Sequence, residues 1–260
     1  MDIGTAKPSK DILEAIPHHF INHIDLEEVY SAGQYEREAL SLLDDLFKTH
    51  KVLLLTGGTG LYIDAVCEGF DRLPAISYQI KQSVRQDLLR QGLSALQNEL
   101  RHKDPDYYQE VDLQNSRRVT RALEVIRQSG RPFSSFRNRK TTPRPFVSHY
   151  IRLYRERTIL HERINRRVNE MVKSGLIEEA RSLYPLRHLQ ALDTVGYREL
   201  FRYFDGDWTL EEAIEKIKTH TRRYAKRQET WFRRSDKWET FPTDATGKII
   251  TWIDQKLHDH

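Results

Sequence analysis

Apolar residues in this 260-residue chain recur mostly at helical spacing, with short continuous or alternating runs at a few places. Residues 1–10 read as a loop. His18-His19-Phe20-Ile21-Asn22-His23-Ile24 reads as a short strand. Ser31, with Gln34 three residues on, forms a capping box. The helix it opens carries Ala39, Leu40, Leu43, Leu46 and Phe47 on one face. The apolar run Lys51–Leu55 predicts a strand, and Thr56-Gly57-Gly58-Thr59-Gly60-Leu61-Tyr62 predicts a tight turn into a helix marked by Leu61, Ala65 and Val66. The first 70 residues therefore read β-α-β-α, the order of a doubly wound α/β core. Gly57, Gly58 and Gly60 permit a sharp turn and close backbone approach. The amides of the new helix would face an anion or a polar group there. On pattern alone the segment is equally an ordinary βα turn.

From Leu73-Pro74 the texture changes to helices without strand-like runs. Ser77 caps a helix with Ile80, Val84 and Leu88, stopped by Gly92. A second helix carries Leu93, Leu96 and Leu100, and Asp104-Pro105-Asp106 breaks it. Asp112 caps a third through Val119, Leu123 and Ile126, closed by Gly130 and Pro132. This stretch reads as an all-helical insertion over 74–148, leaving 1–73 and 149–260 as a discontinuous core. Residues 136–145, with Arg137, Arg139, Lys140 and Arg144 between prolines, form a basic exit loop. Val147–Arg155 alternates as a strand through His149, Ile151 and Leu153. Thr158 opens a helix with Leu160, Ile164, Val168, Met171 and Val172 inward, ending at Gly175. Thr209 and Glu212 make a second capping box, and the helix behind it runs through Leu210, Ile214, Ile217 and Tyr224 to Trp231 or Phe232.

Charge sharpens the picture through its distribution. Net charge is only +4, from 42 Lys+Arg against 38 Asp+Glu. Yet residues 216–234 hold eight Lys/Arg (216, 218, 222, 223, 226, 227, 233 and 234) and one acid, Glu229. Arg163, Arg166, Arg167 and Lys173 lie on the 158–175 helix, and Arg117, Arg118 and Arg121 on the third insertion helix. Three basic helices in a nearly balanced chain point to a polyanionic partner. Tyr224, Trp231 and Phe232 read as core residues of the apolar face, not stacking platforms.

Other chemistry is thin. The single cysteine, Cys67, allows no internal disulfide and fits a reducing cytoplasm; it reads as a small core residue. No apolar stretch approaches the ~18–20 residues a membrane span needs. His18, His19 and His23 lack a second cluster at ligand spacing, so no metal ligands are assigned. There is no Gly-x-Ser-x-Gly elbow and no Cys/His pair suited to nucleophilic catalysis. Asp193-Thr194-Val195-Gly196-Tyr197-Arg198 is a compact helix-entry turn.

The segments Met1–Pro8, His18-His19, Tyr30–Ala32, Gly57–Tyr62, Arg117–Val125, Arg163–Val168, Val195–Arg198 and Thr221–Trp231 occur in the order seen in tRNA dimethylallyltransferases. The chain resembles that family over essentially its whole length. The resemblance implies a P-loop NTPase-like parallel-sheet core with a helical domain that closes on the tRNA anticodon stem-loop. It implies transfer of a dimethylallyl group from dimethylallyl diphosphate to N6 of the adenosine 3′ of the anticodon, assisted by Mg²⁺, by a cytoplasmic monomer. Thr59 matches the family's threonine beside the flipped adenosine. Arg167 matches the arginine of its Arg-Ile-x-x-Arg-Phe motif and would neutralise diphosphate, with Val168 in place of Phe. Lys81, Arg117, Arg118, Val119, Thr120 and Arg121, and Asp193, Thr194, Val195, Gly196, Tyr197 and Arg198, match segments that touch tRNA. The family often has Gln-Arg where Arg117-Arg118 stand, and Arg where Lys81 stands, so a bidentate fork is lost there.

The resemblance departs at the start. Family members carry a strand, a Gly-x-Thr-x-x-Gly-Lys-Thr-type P-loop and an Asp-Ser-x-Gln-x-Tyr strand before the segment that begins at Met1. These 260 residues include neither that phosphate cradle nor the family's candidate catalytic Asp. A misassigned start, with Met1 internal, is expected ahead of a true truncation. Three functions follow: the prenyltransferase, a catalytically impaired tRNA-binding fragment, and a nucleotide-kinase relative that rests only on the α/β pattern.

Overall fold

The computed structural model describes residues 1–71, 73–137 and 142–258. The basic exit-loop residues Arg139 and Lys140 lie outside them. The chain divides into two compact units, Met1–Val66 with Phe146–His260, and Cys67–Pro145.

In the first unit, α1 (Lys10–Ala15) and α2 (Ala32–Leu46) precede α3 (Gly60–Glu68), which runs into the start of the second. The Ser31 side chain accepts from Gln34 N–H at the start of α2. The Gln34 amide turns instead to Glu38, 3.0 Å away, so only half of the expected box forms. His18–Ile24 is not a strand. Phe20 and Asn22 adopt left-handed φ of 62° and 55°, which no strand accommodates. The Phe20 ring packs edge-on against His23 and Tyr35.

Lys51–Leu55 joins no ladder among the described residues. Leu54 is 87% exposed. A strand is defined by a hydrogen-bonded neighbour, and local apolar character does not supply one. The β-α-β-α order expected over the first 70 residues is thus not realised in the described residues.

The Cys67–Pro145 unit is helical among its described residues: α4 (Tyr78–Lys103), α5 (Pro105–Glu110) and α6 (Ser116–Ser129). α4 breaks at Gly92, whose φ of 76° and ψ of 176° interrupt the helix where its stop was expected. α6 is capped by Asn115, not Asp112; Asp112 instead accepts from Gln114 N–H in the preceding turn. Val84, Leu96, Leu100, Val119, Ala122, Leu123 and Ile126 close the core. Asp104, 1% exposed, accepts from Tyr107 N–H, Ser134 N–H and Ser134 Oγ. Arg127 bridges Asp87 and Glu99 at 2.7 and 2.5 Å.

Back in the first unit, β1 (Tyr150–Tyr154) precedes α7 (Arg157–Lys173), α8 (Leu176–Leu183), α9 (Tyr197–Phe204) and α10 (Leu210–Phe232). β2 (Trp238–Pro242) and α11 (Thr246–His258) follow. β1 and β2 pair in parallel, Tyr150 opposite Trp238 and Tyr154 opposite Pro242. The Val147–Arg155 strand is therefore real but shorter, and Leu153 remains 55% exposed. α7 is capped by the Glu156 carboxylate, not Thr158. Thr209 and Glu212 form the complete expected box on α10. Val168, Leu176, Ala180, Leu192, Tyr197, Leu200, Phe201, Ala213 and Ile217 make this unit's core, with Met1 and Ile3 packed against it.

Candidate nucleic-acid and diphosphate site

α10 is the organising element of the first unit. Its Tyr224, Gln228 and Trp231, at i, i+4 and i+7, share one face, and that face meets the Gly-rich turn. Gln228 Nε2 donates to the Gly58 carbonyl at 2.9 Å. The Thr59 and Tyr224 hydroxyls lie 3.4 Å apart. Trp231 Nε1 donates to Asp64 of α3 at 3.0 Å, and Lys237 reaches the other oxygen of that carboxylate at 3.1 Å. A Cβ at Gly60 would collide with the Trp231 ring, so glycine here permits close approach of helix to turn. Tyr224 and Trp231 thus support the turn instead of filling a core. Their spacing was visible in the sequence; their target was not.

Thr59 is exposed, with its hydroxyl beside Tyr224. Arg167 is exposed on α7. On α10, Arg222 donates to Asn165 of α7 at 2.7 Å. Arg155, Ile159, Glu162, Arg163 and Arg166 line an open cleft of ≈ 420 Å³. Arg223, Lys226 and Arg227 are exposed along α10, and Arg233 and Arg234 just past its end. Arg227 and Arg234 lie over the Tyr224 and Trp231 rings.

The Asp193–Arg198 turn separates into two kinds of residue. Asp193, Thr194 and Arg198 are exposed and Val195 is half-buried, while Gly196 and Tyr197 are buried. Gly196 carries the turn with φ of 107°. The Tyr197 hydroxyl donates to Glu179 at 2.6 Å. That carboxylate also collects Asp2, Ile3 and Gly4 N–H at 2.7, 3.0 and 2.9 Å. Burial opposes the Glu179 charge, but the four donors outweigh it and bring its pKa down to about 2. Burial, then the hydrogen bond to Glu179, raises the Tyr197 phenol well above its usual range. Glu199, 1% exposed, accepts from Gly196 N–H, from Arg198 and from His220. Glu179, Glu199 and His220 were missed in the sequence, because long-range hydrogen bonding leaves no periodic trace.

In the Cys67–Pro145 unit Arg117 and Arg118 are exposed on α6, and Lys81 is exposed on α4. Val119 is fully buried in the core. Thr120 donates back to the Ser116 carbonyl, and Arg121 pairs with Glu124 at 3.3 Å. Arg117, Arg118 and Lys81 therefore present charge to solvent, and Val119 sets the helix on its core.

Among the described residues no three His, Cys, Asp or Glu side chains gather closely enough to hold a metal ion. Asp64, beside the Gly-rich turn, is engaged by Trp231 and Lys237. These side chains do not make a Mg²⁺ site. No described helix is long and apolar enough to cross a membrane.

The family model described as IPP transferase matches residues 1–235. The chain belongs to the IPP transferase family. A tRNA dimethylallyltransferase of Christiangramia forsetii is 47% identical over 259 residues, covering 99% of this chain and 86% of that protein. The tRNA dimethylallyltransferase 1 of Bacteroides thetaiotaomicron is 44% identical, covering 97% and 82%. The solved structure of a tRNA isopentenylpyrophosphate transferase from Bacillus halodurans superimposes with a TM-score of 0.70 at 36% identity, covering all of this chain and 84% of that one. A eukaryotic dimethylallyltransferase acting on tRNA shares the fold, with a TM-score of 0.83 at 24% identity over 99% of this chain and 70% of that one. The IPP transferase assignment agrees with the helix-rich architecture around a small parallel sheet.

Proposed function

We propose that this chain is a tRNA dimethylallyltransferase. In the reaction, N6 of the adenosine 3′ of the anticodon attacks C1 of dimethylallyl diphosphate. The C–O bond to diphosphate breaks, diphosphate departs with the bonding pair, and the amine gives its proton to water. The observation that carries the reading is the docking of α10 on the Gly-rich turn, which presents the exposed Thr59 hydroxyl beside Tyr224 within a chain of this family. Thr59 is the group we assign to hold the reacting base edge. Arg167 is assigned to the leaving diphosphate, whose growing charge needs a fixed cation. The adenosine must leave its stack to reach such a site.

The finer assignments belong to the same reading. Residues 1–73 and 149–260 form the P-loop NTPase-like catalytic core, and 74–148 the helical insertion. Lys81, Arg117, Arg118 and Arg121 meet the anticodon stem-loop with Val119 and Thr120 as their support. Asp193–Arg198 meets it from the core. Mg²⁺ belongs to the reading as the counter-ion that partly neutralises diphosphate, with no step assigned to it. The protein acts as a monomer in the cytoplasm. The binding-only reading is not favoured, since relatives at 44–47% identity bear the name of the enzyme.

The test is transfer of labelled dimethylallyl groups to unmodified tRNA. Label at the adenosine 3′ of the anticodon, lost in Thr59→Ala and Arg167→Ala, is the expected result. Stem-loop binding with no transfer by the wild-type chain would overturn the enzyme in favour of the binder, and neither binding nor transfer would overturn both.

A further inference from the structure

The Glu199 carboxylate is 1% exposed, yet it stands directly behind an exposed turn. One oxygen accepts from Gly196 N–H at 2.7 Å. The other accepts from His220 Nδ1 at 2.6 Å and from Arg198 at 3.3 Å. Since the carboxylate only accepts, Nδ1 is the protonated ring nitrogen. The second terminal nitrogen of Arg198 reaches Asp193, also at 3.3 Å. The half-exposed guanidinium is therefore spread between one buried carboxylate and one exposed one, which sets its plane as well as its place.

A carboxylate is costly to bury for packing alone. Here its partners are the backbone of the turn, the turn's arginine and a side chain of α10. His220 stands one helical turn before Tyr224, the residue that meets Thr59. One helix thus fixes both Thr59 and, through Glu199, the direction in which Arg198 is presented.

We propose that His220 and Glu199 are positioning residues for RNA recognition, setting the Arg198 guanidinium toward a backbone phosphate of the bound anticodon stem-loop. This rests on the reading that the Asp193–Arg198 turn meets tRNA. His220 touches no RNA in this scheme; it acts on Glu199, and Glu199 acts on Arg198.

The test is the affinity of the full chain for an anticodon stem-loop RNA across a range of salt concentrations, with thermal unfolding followed for every variant. His220→Ala and His220→Phe remove the donor without and with the ring volume. Each is expected to weaken binding by about tenfold, the scale of a charge-assisted hydrogen bond. Each is also expected to lower the salt slope by about the share of one phosphate, roughly 0.7–0.9. His220→Asn, whose amide nitrogen replaces Nδ1, is expected to restore affinity to within about threefold. In an Arg198→Ala background, His220→Ala and His220→Phe are expected to cost nothing further. Losses that add to that of Arg198→Ala, or unchanged affinity with a lowered Tm, would overturn the positioning role. Wild-type binding with full affinity in both His220 variants sinks this proposal alone. A wild-type chain that does not hold the RNA sinks the tRNA reading and the proposal with it.

Discussion

Two buried carboxylates, one in each unit, do different work. Asp104 accepts from donors no more than 30 residues away in sequence and closes the Cys67–Pro145 core on itself. Glu199 reaches His220 on α10 and the arginine of an exposed turn. Glu179 lies in the same unit as Glu199 and spans further still, gathering the amides of residues 2–4 and the Tyr197 hydroxyl. In one unit buried charge completes a core; in the other it holds the backbone and the exposed arginine of a surface turn. A buried polar group must be satisfied in either case, but only in the second does its loss move something exposed.

Substitutions separate the two roles. Asp104→Ala strands three donors and is expected to cost about 3 kcal/mol, read as a large fall in Tm. An unchanged Tm would end the contrast. Gly60→Ala forces Trp231 off the turn; about 1–3 kcal/mol of overpacking strain is expected, with transfer reduced far more than stem-loop binding. Glu179→Gln probes the carboxylate whose folded pKa lies near 2 against an ordinary 4.5. A lowered carboxylate pKa adds stability that is complete above the ordinary value and fades as pH falls toward the folded one. The Tm advantage of the wild type over Glu179→Gln should therefore be constant above about pH 4.5 and shrink toward pH 2. The smallest effect is expected from Arg223→Gln on the exposed face of α10: Tm unchanged within about 0.5 kcal/mol and a salt slope for RNA lower by roughly 0.7–0.9. A large Tm change there would make the basic face structural instead of a ligand surface.

Helices, their stops and several caps were legible because the information is local. Ser31, Gly92, Gly130, Gly175 and Thr209 each act within a turn or two of their own position. Where caps were misassigned, at Asp112 and Thr158, a neighbouring polar residue took the same amides. Strands were less legible. Lys51–Leu55 has strand composition without a ladder, and β2 was missed because Trp238–Pro242 has no apolar alternation to mark it. The candidate site was legible as motifs: Thr59, Arg167, Arg117 and Arg198 stood out by their segments, not by their surroundings. Helical period, charge segregation and family motifs needed only the order of residues. The tertiary structure alone decided that Tyr224, Gln228 and Trp231 brace the Gly-rich turn, that Glu179 ties residues 2–4 to Tyr197, and that His220 stands behind Arg198. Each of those joins groups far apart in the chain, and a hydrogen bond depends on distance in space, which local sequence does not encode.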